Sequence, residues 1–84
     1  MKIHVYDTHV KTIGGQYLHF DILVDDEHSS KVQEYAQLYL TGRGIKSVEI
    51  TSNSCLFCHS EIANPDVQNI IKREGHYILP LAGC

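Results

Sequence analysis

The feature that most constrains the fold is a pair of alternating segments joined by a glycine pair. Apolar and polar residues alternate with a period of two over residues 2–10 and again over residues 17–24, as is typical of half-buried β-strands. Gly14 and Gly15 lie between these segments and favour a tight reversal of the chain. The sequence therefore predicts that the chain begins with a β-hairpin.

A helix and a third strand are predicted to follow the hairpin. Ser29 or Ser30 can cap the start of the helix, because a hydroxyl oxygen there accepts a hydrogen bond from a free backbone N–H group. Its apolar residues recur with helical spacing at Val32, Tyr35, Ala36, Tyr39 and Leu40. Residues 46–51 alternate again and predict a short strand, after which a loop is expected to carry two of the cysteines.

A second helix and a last strand complete the predicted elements. Asn64 is suited to cap a helix, Pro65 suits its first position, and Gly75 favours its end. Residues 76–81 predict the fourth strand. We expect it at a sheet edge, because Pro80 cannot donate a backbone hydrogen bond to a neighbouring strand.

This ββαβαβ order predicts one α+β domain over residues 1–84, built as a two-layer sandwich with a four-stranded mixed sheet. Strand–helix–strand connections favour right-handed parallel crossovers, so we expect strands two to four to be parallel and strand one to oppose them. Both helices are then expected on one face. The other face would be left uncovered, and we predict that it is a possible surface for a homodimer.

Charge and hydropathy argue against two classes of partner. The chain has 7 Lys and Arg residues against 10 Asp and Glu residues, for a net charge of −3, and its cations are scattered. Nucleic acid is therefore not an expected partner. No apolar run approaches the roughly 20 residues that span a bilayer, and no signal-peptide core is evident, so we expect a cytoplasmic protein that does not enter the membrane.

The cysteines and histidines suggest a metal site. Cys55 and Cys58 have the CxxC spacing that lets two thiolates reach one zinc ion, and His59 follows directly. In the predicted sheet, Cys84 and His4 lie at the same edge as that loop. We therefore expect these five residues to be metal ligands, with zinc as the possible cofactor.

Other interpretations of the cysteines remain open. Cys55 and Cys58 can form a thiol–disulfide or redox-sensing pair, with Cys84 as a resolving thiol. The cysteines can also simply pack in a core, which would leave a metal-free protein-interaction module. The CxxCH pattern of c-type haem attachment also matches, but we reject it because no export signal is evident and Met1 is the only methionine.

The hairpin carries a second group of polar residues. His19 and Asp21 are two residues apart and share a strand face, so the carboxylate can orient the imidazole as in a general base. His4, Tyr6 and Tyr17 can lie on the same face. No nucleophile or phosphate-binding glycine loop accompanies them, so a solvated or partner-binding surface is the favoured interpretation.

Four separated motifs resemble one family of short bacterial proteins. They are the start at residues 4–8 (HVYDT), the HFD of residues 19–21, the CLFCHS of residues 55–60 and the final Gly83-Cys84. Together they are similar to domain-of-unknown-function family twenty-twenty-four over nearly the whole chain. The resemblance implies a small α+β domain and equivalents of the histidines and cysteines named above, but no established activity, substrate or catalytic residue.

Overall fold

The structure is a computed structural model, and it describes residues 1–80. Its elements, numbered in chain order, are β1 (Lys2–Thr12), β2 (Tyr17–Val24), α1 (Val32–Gly42), β3 (Ile50–Ile62), α2 (Pro65–Glu74) and β4 (His76–Pro80). Two short 3-10 turns precede α1 and β3. The α+β class and the predicted order of strands and helices are confirmed.

The four strands form one sheet in the order β3-β1-β2-β4, and each neighbouring pair is antiparallel. This corrects the predicted mixed sheet. β2 and β3 do run in the same direction, as the crossover rule predicts, but β1 lies between them. β4 pairs with the far side of β2 and runs opposite to it, so the rule for parallel crossovers does not govern the connection through α2.

The predicted strand at 46–51 is mostly wrong, because residues 47–49 form a 3-10 turn, and β3 instead covers Ile50–Ile62, which includes the segment expected to be a loop. It pairs with β1 from Ile62, opposite Lys2, to Ile50, opposite Thr12. A bulge at Cys58 interrupts the register. Because β3 is an edge strand and mostly exposed, its residues need not alternate. β3 is a strand because its backbone pairs with β1. Such pairing does not require an alternating hydropathy pattern in the sequence, so the sequence did not indicate it.

The core consists of two clusters on opposite faces of the sheet. One joins β1 and β2 to α1 and contains Val10, Leu18, Phe20, Ile22, Val24, Val32, Tyr35, Ala36, Leu40 and Ile45. The other joins the same strands to α2 and contains Ile3, Val5, Leu23, Ala63 and Ile71. Leu23 stands between Ile22 and Val24 in β2 yet belongs to the other cluster, so α1 and α2 cover different faces. We call these the α1 face and the α2 face.

This arrangement corrects the prediction of a two-layer sandwich with both helices on one face. Residues 20–24 of β2 are buried in succession, which requires cover on both sides of the sheet. The sequence interpretation placed Asp21 on a solvated surface, whereas Asp21 is buried, as is Leu23 on the same face. The homodimer stays a prediction, now restricted to the part of the α2 face that α2 does not cover.

The ends of α2 match their sequence signals. The Asn64 side chain accepts a hydrogen bond from the backbone N–H of Val67 at 2.9 Å, and Gly75 ends the helix with a left-handed φ of 87°. A Cβ atom at Gly75 would lie 2.6 Å from the Tyr35 hydroxyl, so this turn also allows α2 to end close to α1. The serine cap predicted for α1 is wrong, because a 3-10 turn precedes the helix and no side chain caps it. Neither helix could cross a bilayer.

Candidate metal centre on the sheet

The hairpin places two histidines and two aspartates together on the α2 face. In the β1–β2 register, Asp7 lies opposite Asp21 and His9 lies opposite His19. Directly opposite residues of antiparallel strands share a face, as do residues two apart on one strand. These four residues therefore occupy the corners of a square, which we call the His–Asp square. α2 packs over the adjoining end of the face, around Leu23, and leaves the square partly open.

The Asp7 carboxylate connects the two imidazoles. It is hydrogen-bonded to His9 Nε2 at 2.8 Å through one oxygen and to His19 Nε2 through the other. The imidazole rings stack with their centroids 4.0 Å apart. The Tyr17 hydroxyl is hydrogen-bonded to His9 Nδ1 on the far side of that ring. One ligand atom from each of Asp7, His9 and His19 lies within 4.8 Å of the other two.

The two carboxylates of the square have opposite pKa shifts. Burial by itself would raise the pKa of Asp7, but the hydrogen bonds from His19 and His9 outweigh it, so this pKa is below its usual value. Asp21 is only 5% exposed, and its Oδ1 atom has no hydrogen-bond partner within residues 1–80. Burial raises the pKa of Asp21, and the nearby charge of Asp7 raises it further. The square thus contains a buried acceptor without a hydrogen-bond partner within residues 1–80, and the nearby His19 and His59 only partly offset the effect of its burial.

Two imidazoles and a carboxylate are a donor set for a divalent transition metal. Zinc binds histidine nitrogen and carboxylate oxygen at about 2.0–2.2 Å, which separates the ligand atoms of a tetrahedral site by about 3.4 Å. The three ligand atoms of Asp7, His9 and His19 already lie within 4.8 Å of one another. Movements on the order of 1 Å would therefore place them around one ion. Three protein ligands leave a fourth position for water or another ligand.

The described residues that the sequence suggested as metal ligands lie at several positions along β1 and β3. Cys55 is a half-buried free thiol that packs against the α1-face core, where the Thr8 hydroxyl donates to its Sγ at 3.3 Å. Burial raises the pKa of the Cys55 thiol. Cys58 lies at the bulge of β3 and is disulfide-bonded, so it and the free Cys55 are not bonded to each other. Cys84 lies outside the described residues.

The two histidines of the predicted set lie on opposite faces of the sheet. His4 pairs with Ser60 across the α1 face, where its Nδ1 is 2.7 Å from the serine hydroxyl. His59 lies opposite Val5 on the α2 face, and its Nε2 is 3.2 Å from the Glu61 carboxylate. Among the described members of the set, Cys58 and His59 are in contact, with His59 Nδ1 3.3 Å from Cys58 Sγ, whereas Cys55 and His4 lie on the α1 face with other neighbours. Zinc binding by the set that includes Cys84 stays a prediction.

Sequence analysis identified half of the square and missed Asp7 and His9. It paired His19 with Asp21, whereas the structure pairs the His19 imidazole with Asp7 across the hairpin. The signal that could have identified Asp7 and His9 is the symmetric spacing of these residues and their partners about the hairpin turn at Gly14. Gly14 is equally distant in sequence from Asp7 and Asp21, and from His9 and His19, so a symmetric hairpin brings these residues opposite one another. His4 and Tyr6 were expected beside His19, but alternation places them on the other face.

The unpartnered carboxylate predicts an unusual pH dependence. Because the pKa of Asp21 is raised in the folded state, ionisation above the unfolded value of about 3.9 costs stability. We expect Asp21→Asn to raise the melting temperature of metal-free protein at pH 7. The gain should shrink as the pH falls through the folded pKa and be absent below about pH 4, where both states are protonated.

Asp7→Asn serves as the control of opposite sign. The pKa of Asp7 is lowered, so its ionised form stabilises the fold above the unfolded value, and this stability is lost as the pH falls through the folded pKa. Thermal melts of both variants from pH 3 to 8 in the presence of a chelator make the comparison. A destabilised Asp21→Asn protein at pH 7 would contradict the assignment of Asp21 as a buried group whose ionisation costs stability.

Comparisons with known proteins agree with this fold and define its family. The sequence profile of a domain of unknown function, DUF2024, matches residues 1–81. The chain belongs to this family, as its motifs suggested. An NMR structure of protein NE1680 from Nitrosomonas europaea, a structural genomics target, is similar, with 39% sequence identity and a TM-score of 0.74. The similarity covers 100% of this chain and 99% of that one. The comparison with curated proteins yields no match.

Proposed function

We propose that this protein is a small metal-binding domain that holds one divalent transition-metal ion, of which Zn²⁺ is the simplest example, at Asp7, His9 and His19. The observation that carries this proposal is the convergence of two imidazoles and a carboxylate on one open sheet face. Imidazole nitrogen suits zinc, copper, iron and nickel, and one carboxylate adds the negative charge that favours a dication.

The buried Asp21 carboxylate supports the same proposal independently. It is the fourth corner of the square, opposite Asp7, and its carboxylate, whose Oδ1 has no hydrogen-bond partner within residues 1–80, adds negative charge next to the three ligands. Two neighbouring carboxylates repel each other when both are ionised, and a bound cation relieves that repulsion. A dication in the square would therefore stabilise both aspartates as well as bind the imidazoles.

The geometry favours the square over a thiol-based function. Thiol–disulfide exchange needs an accessible thiolate, whereas Cys55 is half-buried and burial raises its pKa. A zinc site at the cysteines would need Cys58 to be reduced, since a disulfide-bonded sulfur is not the thiolate that zinc binds. The role proposed here is binding, with one coordination position left for a water molecule or an exogenous ligand.

The proposal is tested by titrating untagged, metal-stripped protein with ZnCl₂ in a calorimeter. We expect about one zinc ion per chain, the capacity of a single three-ligand site. Cys55→Ser is the matched variant and should leave both stoichiometry and affinity unchanged. Substituted Co²⁺ should give d–d absorption without the strong charge-transfer band of thiolate ligation.

Two results would overturn the assignment in different ways. Loss of binding in Cys55→Ser, with a thiolate charge-transfer band in the wild type, would move the site to the cysteines. Absence of any zinc binding in the wild-type protein would leave the metal-free interaction module as the better description.

A further inference from the structure

We infer that Tyr17 is the positioning residue of this metal centre: its hydroxyl holds His9 with Nε2 directed into the site. The inference rests on the proposed function, because it assigns a role within the same site. Tyr17 is the first residue of β2 and lies one position outside the His–Asp square, opposite Lys11. It is 53% exposed, so it contributes little to the core.

The contacts of His9 define two different ends of its imidazole ring. Nε2 is 2.8 Å from the Asp7 carboxylate, inside the square, whereas Nδ1 is hydrogen-bonded to the Tyr17 hydroxyl outside it. The two rings are also in contact, with centroids 5.7 Å apart. His9 is thus held at both nitrogens, and only one of them faces the other candidate ligands.

The Tyr17 hydroxyl can form a hydrogen bond with His9 both with and without bound metal, because a phenol both donates and accepts hydrogen bonds. Without metal, a neutral His9 can donate from Nε2 to Asp7 while its Nδ1 accepts from Tyr17. When Nε2 binds a metal, the single proton of the neutral ring must reside on Nδ1, which then donates to the Tyr17 oxygen. The hydroxyl needs only to rotate, so the imidazole keeps its orientation when the proton changes nitrogen.

Outer partners of this kind commonly contribute to metal affinity. A hydrogen bond at the second nitrogen fixes the tautomer and orientation of a ligating histidine, and its loss typically costs 10- to 100-fold in affinity. Tyr17→Phe removes the hydroxyl and keeps the ring against His9. We therefore expect the zinc affinity of Tyr17→Phe to be about 10- to 100-fold weaker than that of the wild type, with unchanged stoichiometry.

The test separates positioning from a general effect on the fold. Tyr6→Phe is the control, since Tyr6 lies on the α1 face of the same hairpin, away from the square. This substitution also removes one hydroxyl group, and it should leave the zinc affinity unchanged. The Tyr17→Phe substitution should have little effect on affinity in a His9→Ala background, because the group through which Tyr17 acts is then missing. ¹⁵N spectra of the histidine side chains should show the zinc-bound His9 protonated at Nδ1 in the wild type.

Each outcome has a distinct meaning. Equal affinities of Tyr17→Phe and wild type, or an equal loss in the His9→Ala background, would overturn the role of Tyr17 while leaving the metal centre in place. A zinc-bound His9 coordinated through Nδ1 would overturn it as well. If the wild type binds no zinc, the proposed function fails, and the role of Tyr17 fails with it.

Discussion

Replacing His19 with alanine is expected to weaken zinc binding by more than the 10- to 100-fold that the loss of an outer-shell partner typically costs. His19 supplies one of the two imidazoles, and its Nε2 is hydrogen-bonded to the Asp7 carboxylate, which also binds His9. Without it, two protein ligands remain, and the buried charge around Asp21 has lost a neighbouring group that can be positive. Calorimetric titration with ZnCl₂ measures the loss directly.

His59→Ala is the matched control for this experiment. His59 also lies on the α2 face, but its imidazole contacts Cys58 and Glu61 and influences the square through an electrostatic effect on Asp21. Zinc binding stabilises the folded state by about 4 kcal/mol when the free ion is at 1,000 times its dissociation constant, so the wild type and His59→Ala should melt at higher temperature with zinc. The melting temperature of His19→Ala should not rise with zinc. A zinc response that is lost in His59→Ala and kept in His19→Ala would contradict the square and favour the ligand set that includes Cys55 and His59.

Phe20→Ala is expected to cost about 3–5 kcal/mol of folding free energy, the largest effect on stability that we predict. Phe20 is 1% exposed at the centre of the α1-face core, and its ring centroid lies 4.6 Å from that of Tyr39. Truncation would leave a cavity between β2 and α1 that the sheet cannot close, because β2 is held by β1 on one side and β4 on the other. Domains of this kind are stable by about 5–15 kcal/mol, so much of that stability would be lost.

Urea denaturation followed by circular dichroism measures this loss. Leu38→Ala is the control, because Leu38 lies on α1 but is 63% exposed, and its truncation should change stability by no more than about 0.5 kcal/mol. Ile71→Val, in the α2-face core, should cost about 0.5–1.5 kcal/mol. Because the two cores lie on opposite faces, a substitution in each should add within about 0.5 kcal/mol. Strong coupling between Phe20 and Ile71 would contradict two separate cores.

Local patterns predicted the elements whose causes are local. The period of two placed β1 and β2 and separated the two faces within each strand, since successive side chains of a strand must point to opposite sides. The expectation that His4 and Tyr6 share the face of His19 was wrong, because the faces of two strands are matched only by the hairpin register. Asn64, Pro65 and Gly75 marked α2 because capping and a left-handed turn depend on the residues at the helix ends themselves. Both signals act within a few residues along the chain.

Long-range pairing decided what these patterns left open. Residues 53–60 carry no strand pattern, yet they form most of β3 because β1 offers them a free edge. The side of the sheet that each helix covers also depends on how the chain crosses it. β1 lies between β2 and β3, a position that no local signal indicates, and the expectation of two helices on one face was therefore wrong.

The candidate site likewise depends partly on local patterns and partly on long-range pairing. The sequence by itself determined that His19 and Asp21 share a strand face, and that Asp7 and His9 share one. Only the tertiary structure decided that the two pairs meet, because the hairpin register aligns strands that are distant along the chain. It also decided that α2 stops short of them, which leaves two imidazoles and a carboxylate accessible beside a buried acid whose Oδ1 has no hydrogen-bond partner within residues 1–80. Side-chain alternation is a property of one strand, whereas a binding site needs groups from several segments, and their meeting depends on how the whole chain packs.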